Sequence, residues 1–208
     1  MVKQEKLMRM QVYLSTELGV IGGTTGALNL VKTGAKSAVK LGKADIISSP
    51  AGYPLTEAKI NEILLIEKGK RPNPTEYLPK EYIDAHLSQF DDGAVRFFVP
   101  HKSGTIGPEN AFVLPKTYVE NLYKATEGNI NLIEDKLGLP SGYLSYAKVA
   151  IIDKPNVKIP SGNEIGAHPD YWTPGGKTSG NVPEAIISEQ LKESDVIIKN
   201  IEDLFNGK

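Results

Sequence analysis

The chain has 208 residues, 40% of them hydrophobic and 24% charged, with a formal net charge of -1 and no cysteine. At this length an ordinary globular composition holds one large domain or two small ones; the near-neutral charge supplies no overall basic field for nucleic acid, and the lack of cysteine excludes disulfides and cysteine-ligated zinc. No run reaches the roughly 18 apolar residues of a membrane span, and Gln11, Ser15, Thr16 and Glu17 break the apolar patch near the start, so no signal peptide is expected.

Residues 1 to about 50 are rich in small side chains, with Gly19, Gly22, Gly23, Gly26, Gly34 and Gly42 among Ala, Ser and Thr. Lys32, Lys36 and Lys40 recur at four-residue spacing, and Leu28, Val31, Ala35, Ala38 and Val39 take another face, the pattern of a cationic amphipathic helix. Interior glycine weakens such a helix by about 0.5 to 1 kcal/mol each, so packing or a membrane surface has to compensate. Two readings follow: a helical linker from a longer chain, or a segment over residues 18–44 that contacts a membrane transiently. The expected division is a helical linker over 1–70 and a catalytic domain over 71–208.

Thr56 caps a helix carried by Ile60, Ile63 and Leu64 and closed by Gly69. RPNP at 71–74 is a breaker, and Pro79 opens a second helix through Tyr82, Ile83 and Leu87 to about Phe90. Asp91, Asp92 and Gly93 turn into the strand AVRFFVP; after the loop HKSGTIGPEN, AFVLP is a second strand. Val119, Leu122 and Tyr123 set a helix over about 116–126, and another runs from Ile130 to Leu137 before Gly138 and Pro140. KVAIID at 148–153 is a strand that VKIP continues or pairs with. EAII at 184–187 is a short strand or a first helical turn, and Leu191, Val196, Ile197, Ile201 and Leu204 predict a final helix or strand-helix pair. Helices and strands mix without the regular alternation of a parallel nucleotide-binding fold. The expected class is α+β, a small mixed or antiparallel sheet with flanking helices, preceded by an N-terminal helical segment.

Chemistry concentrates in VKIPSGNEIGAHPDYWTPGGKTSGNVPEAII, residues 157–187, which holds the single Trp, Trp172, and one of three His, His168. A Gly- and Pro-rich stretch longer than about 12 to 15 residues, with little apolar material to hide, reads as a binding or catalytic loop outside the core. Glu184 stands where that loop enters a strand, a rigid place to hold a charge. Glu164 in SGNE is a second candidate carboxylate, with Ser161 and Asn163 beside it as substrate-binding candidates. His168 is a candidate acid or base, and it either pairs with Asp170 or forms a turn at Pro169. Arg96 shares a strand face with Phe98; its planar fork suits an anion such as phosphate or, on an edge strand, a surface ion pair. His86, His101 and His168 lack metal-ligand spacing, so no metal site is expected. Gly175, Gly176, Lys177, Thr178 and Gly180 imitate part of a phosphate loop without its leading glycine or following helix, so nucleotide hydrolysis is not expected, although the backbone amides there suit a phosphate.

The ordered motifs YLPKEYIDAHLSQFDDGAVRFF, AFVLPKTYVENLY, LGLPSGYL, IPSGNEIGA, WTPGG and PEAII span about residues 71–188. Together they resemble the C-terminal toxin modules of large bacterial secreted proteins used in contact-dependent and related interbacterial killing. The resemblance implies a poison domain delivered from the cell surface as part of a larger protein, active in the target cytoplasm and neutralised by a cognate immunity protein. The order of elements is also similar to that of ADP-ribosyltransferase and NAD-glycohydrolase toxins. This implies NAD as substrate with no tightly bound cofactor, Arg96 on its phosphates, Glu184 stabilising positive charge on the ribose as nicotinamide leaves, and Trp172 or Phe98 stacking on the nicotinamide. The second strand reads FVLP and no Glu-x-Glu pair surrounds Glu184, which favours hydrolysis over transfer. One alternative is a metal-independent ribonuclease toxin, with Glu164 and His168 as base and acid and Lys177 and Thr178 on the scissile phosphate. A non-enzymatic binding module is the other.

Overall fold

The computed structural model describes residues 52–168, 172–178 and 180–205; the cationic segment expected over 18–44 lies outside them. The fold is α+β, with helices α1 (Glu57–Leu65), α2 (Lys80–Leu87), α3 (Lys116–Ala125), α4 (Ile130–Leu137) and α5 (Ile201–Phe205). Local chemistry sets their ends. The Thr56 hydroxyl accepts from the Lys59 amide, Asn129 caps α4 through the Leu132 amide, and Pro79 and Pro115 stand immediately before α2 and α3. Helix α1 stops at Leu65, short of the glycine expected to close it, and leaves Leu65 exposed.

Strands β1 (Ala94–Phe98), β2 (Ala111–Pro115), β3 (Lys148–Ile152), β4 (Val157–Lys158), β7 (Ala185–Ile187) and β8 (Ile197–Asn200) form a sheet in the order β4-β7-β2-β1-β3-β8. Every neighbouring pair is antiparallel. The chain end resolves as the strand-helix pair β8–α5, and EAII as a strand. Alternation along the strands splits the core in two. Val95, Phe97 and Val149 face α3, α4 and α5 through Val119, Leu122, Ile133, Leu137, Ile201 and Leu204. Ala94, Phe98, Val113, Ala150, Ala185 and Ile187 face the other way, against Phe90, Ile106 and Leu191.

A third body of packing lies at the β4–β7 end. Ile63 of α1 packs with Ala167 and Trp172, and Tyr53, Leu55 and Tyr77 pack with Leu78, Tyr82 and Ile159. The Lys68 ammonium donates to the Ile165 and Ala167 carbonyls, and the Gly69 amide donates to the Asn163 side-chain oxygen. Residues 53–70 are thereby packed against Ile159, Asn163, Ile165, Ala167 and Trp172, so contacts run across the division expected at position 70.

The 157–187 stretch departs from the solvent loop read in its composition. It contains a two-stranded ribbon, β5 (Trp172–Thr173) paired with β6 (Lys177–Thr178), and Pro174 to Thr178 and Val182 to Ile187 are buried. The backbone amides of Thr178, Val182 and Glu184 are paired within the protein, which is what permits this Gly- and Pro-rich backbone to be interior. The Glu184 amide donates to the Gly176 carbonyl, the Thr178 amide to the Val182 carbonyl, and the Val182 amide to the Thr178 hydroxyl.

Candidate functional site

The hairpin at 174–184 is gripped by aromatic side chains from the N-terminal third of the described chain. The Tyr53 hydroxyl donates to the Pro174 carbonyl and the Tyr82 hydroxyl to the Gly175 carbonyl at 2.8 Å. His86, one turn after Tyr82 on α2, donates from Nε2 to the Glu184 carbonyl at 2.9 Å. A carbonyl can only accept, so Nε2 carries the proton and Nδ1, buried without a partner, holds a free lone pair in the neutral ring. Burial pushes the His86 pKa down, and the nearby Lys177 charge adds to that.

Glu184 is 7% exposed, and its Oε1 is buried with no hydrogen-bond partner. Burial, with a smaller contribution from the Glu164 charge, pushes its carboxyl well above the usual range. Glu164 is held in the opposite manner. Its Oε1 accepts from the Ser161 amide and hydroxyl, both at 2.9 Å, and its Oε2 accepts from the Gly162 amide at 2.8 Å. Three donors are aimed at the two Glu164 oxygens while one Glu184 oxygen has none, so two acidic side chains within electrostatic reach of each other are held in contrasting environments. Glu134 shows what an interior structural glutamate looks like here: both of its oxygens are taken by the Gly142 and Leu144 amides.

Arg71 supplies the cation on the Glu164 side. Its guanidinium lies over the Trp172 ring at 4.8 Å and donates from Nη1 to the Gly162 carbonyl at 2.7 Å and from Nε to the Ile66 carbonyl. Burial works against its charge, while Glu164 and Tyr77 work for it. Gly162 has φ +87, and a Cβ there would stand 2.4 Å from the Trp172 ring, so the stack requires glycine at this position. Tyr77 packs against Trp172, and its hydroxyl is buried and unpartnered; the Gly175 amide is close by but outside hydrogen-bonding geometry. The Trp172 Nε1 is likewise buried and unpartnered. Natural interiors leave few such groups, and each costs about 1 to 3 kcal/mol. Four of them, on Tyr77, His86, Trp172 and Glu184, gather around one hairpin.

The remaining sequence candidates divide. Asn163 is a lock between segments: its oxygen accepts from the Gly69 and Arg71 amides and its Nδ2 donates to the Arg71 carbonyl. Ser161 serves to hold Glu164. Lys177 is buried with its ammonium on the Asn181 side-chain oxygen at 2.9 Å and 4.6 Å over the Tyr53 ring; burial lowers its pKa. Thr178 ties the hairpin to α4 by donating to the Lys136 carbonyl. His168 is exposed at the loop end, with its carbonyl accepting from the Trp172 amide; Asp170 lies outside the described residues.

Arg96 is elsewhere. It pairs in register with Ala150 on β3, whereas continuing the β2–β7 register by one residue sets Glu184 opposite Leu114, on the Val95 side of the sheet. Alternation places Arg96 and Glu184 on opposite faces. The Arg96 Nη1 donates to the Phe112 carbonyl at 2.6 Å, its guanidinium lies against Gly107, and burial lowers its pKa. Phe98, 4% exposed, is interior to the core on that same face. Arg71, Tyr53, Tyr77, Tyr82 and His86 are the residues the sequence reading did not single out. The i, i+4 spacing of Tyr82 and His86 was the one visible signal, since it lays two hydrogen-bonding rings along the inner face of α2.

A surface concavity lined by Asp84, Leu87, Phe90, Lys154 and Val157 shares none of these residues; Glu184 is buried and Glu164 half-buried. Among the described residues no group of three His, Cys, Asp or Glu is placed to hold a metal, and no helix is long and apolar enough to cross a membrane. The chain is therefore an α+β domain with helices α3, α4 and α5 on one face of a six-stranded antiparallel sheet and a pair of glutamates, one buried and one half-buried, at one end. No family model, curated protein or solved structure matches it.

Proposed function

We propose that the chain is a hydrolase of the nicotinamide-ribose bond of NAD, working as an interbacterial toxin domain. The observation that carries the chemistry is the Glu164–Glu184 pair: one carboxylate fixed by three donors, the other carboxyl buried with an orphaned oxygen and a raised pKa. Cleavage breaks the C1'–N bond, and its electron pair goes to the nicotinamide nitrogen, which leaves neutral. The ribose passes through an oxocarbenium-like state that a fixed carboxylate stabilises preferentially, the role given to Glu164. Water forms the new C1'–O bond, and its proton goes to Glu184, whose raised pKa makes it a stronger base than a solvated glutamate. Entry of the cationic nicotinamide ring favours the ionised Glu184 that this step needs. With an acceptor nucleophile in place of water, the same site would transfer ADP-ribose.

Arg71 takes the position opposite the pyrophosphate in this reading, in place of Arg96 on the far face. The toxin setting, delivery by a larger protein and neutralisation by an immunity protein rest on the motif resemblance. Ribonuclease action is the second reading, favoured by Arg71 and Lys177 standing near the acidic pair with no carboxylate in ion-pair contact among the described residues.

The deciding experiment follows nicotinamide release from NAD by the wild type, Glu184→Gln and Arg71→Lys. The reading predicts turnover that falls about a hundredfold in folded Glu184→Gln and a raised KM in Arg71→Lys. Intact NAD with wild type, alongside cleaved total RNA, moves the assignment to the ribonuclease.

A further inference from the structure

Tyr53 is half-buried and belongs to the segment that leads into α1, yet its ring occupies a place built for a flat aromatic group. The Lys177 ammonium lies 4.6 Å from the ring centroid. The Tyr82 ring stands 6.3 Å away at 71°, an edge-to-face pair. Gly175, with φ +89, lies against the ring, where a Cβ would come within 2.8 Å of it; only glycine leaves the space. At the far end the Pro174 carbonyl accepts from the Tyr53 hydroxyl, which burial keeps protonated by pushing its pKa up to about 12. A cation over the ring, a bare backbone against it, a second aromatic ring beside it and an acceptor at the hydroxyl define a slot for a planar ring with an N–H or O–H on its edge.

We propose that this slot is the subsite for the amino-bearing base of the substrate, adenine, and that Tyr53 fills it in the free protein and withdraws when substrate binds. The choice of adenine rests on the NAD reading. Of that molecule's two rings, the nicotinamide is cationic and would be repelled by Lys177, whereas adenine is neutral and electron-rich, as a cation-facing ring has to be. Its exocyclic amino group is a donor of the kind the Pro174 carbonyl now receives from Tyr53. The one N–H on uracil's free edge is flanked by two carbonyl oxygens that the Pro174 carbonyl would repel, whereas the adenine amino group projects beyond its ring. Tyr53 packs against the buried Gly175 and Lys177 and is held there by one hydrogen bond, the cation contact and the Tyr82 ring. A ligand that must displace an internal occupant binds with its intrinsic affinity reduced by the fraction of molecules in which the slot is open.

Calorimetric titration of wild type, Tyr53→Ala and Tyr53→Phe with adenosine, uridine and nicotinamide mononucleotide tests the proposal without turnover. Tyr53→Ala should bind adenosine about tenfold tighter than wild type, with no comparable gain for uridine or nicotinamide mononucleotide. Tyr53→Phe, which keeps the ring on Gly175 and loses only the donor to Pro174, should fall between. Adenosine binding unchanged or weakened in folded Tyr53→Ala, or an equal gain for uridine, overturns the proposal. Should Tyr53→Ala fail to fold by circular dichroism, Tyr53→Phe decides by the same criterion. Adding ADP-ribose and the dinucleotide ApA to the Tyr53→Phe series separates NAD from RNA as the source of the base. Adenosine binding without NAD turnover would sink the NAD hydrolase and leave the slot standing; NAD turnover without adenosine binding would do the reverse.

Discussion

Glu184 makes the conflict between folding and chemistry explicit. An interior carboxyl with an unpartnered oxygen is a burden on stability, and its proton is retained in the folded state where a solvated glutamate has lost it. Above pH 4.5, its ordinary value, the unfolded chain binds fewer protons at this residue than the folded one, so stability falls as pH rises until the raised folded pKa is passed. His86 acts with the opposite sign. Its folded pKa lies below the ordinary 6.5, the unfolded chain binds more protons in that interval, and stability rises with pH up to about that value. Glu184→Gln should flatten the decline above pH 4.5 and raise the melting temperature at pH 7, by about 2 to 4 °C for each kcal/mol recovered. Thermal melts of both proteins from pH 4 to 8 check this. A variant that loses activity and gains stability is the expected behaviour of a catalytic group, and a melting temperature that drops at pH 7 would return Glu184 to a structural role.

Among the elements, the strands 94–98, 111–115 and 148–152 and the helices after Thr56, Pro79, Pro115 and Asn129 are readable from alternation, caps and prolines, because each of those signals acts within a few residues. The 157–187 stretch was only half legible. Composition marked it as chemically loaded, and Glu164, Trp172, Lys177 and Glu184 do lie together there, but its burial depends on partners about ninety to a hundred and twenty residues away that no local pattern announces, as the bonds from Tyr53, Tyr82 and His86 show. Asn163 and Thr178 illustrate the cost to inference: both carry the side chains of ligand-binding residues and both spend them on backbone groups of other segments. Gly162 is the hinge of that arrangement. Gly162→Ala forces a methyl into the Trp172 ring at a positive φ and should destabilise by about 2 to 4 kcal/mol. Because Trp172 is the single tryptophan, urea unfolding followed by its fluorescence reads the effect directly; a change below about 1 kcal/mol would mean that the Arg71–Trp172–Gly162 stack rearranges freely.

At the scale of the whole molecule, the sheet separates two charged interiors that the sequence reading had joined. An arginine on the first core strand and a glutamate at the start of the seventh look like two halves of one site when read in order, yet strand parity puts them on opposite faces. The face of Arg96 is filled by Phe98, Val113, Ala150 and Ile187, while the glutamate pair sits with Arg71, Trp172 and the tyrosines at the β4–β7 end. The two guanidiniums therefore carry different burdens. Arg96 secures the Phe112 carbonyl and packs on Gly107, so Arg96→Met should lower stability by about 1 to 3 kcal/mol through the lost bond to a buried carbonyl, with turnover per folded molecule within about twofold of wild type. Arg71→Lys keeps a charge beside Glu164 but loses the planar stack on Trp172, and its deficit should appear in substrate affinity. Steady-state NAD kinetics corrected for folded fraction distinguish the two. A large loss of turnover in folded Arg96→Met would mean that the faces communicate through Phe112, whose carbonyl Arg96 holds and whose ring packs beside Trp172 and Ile63.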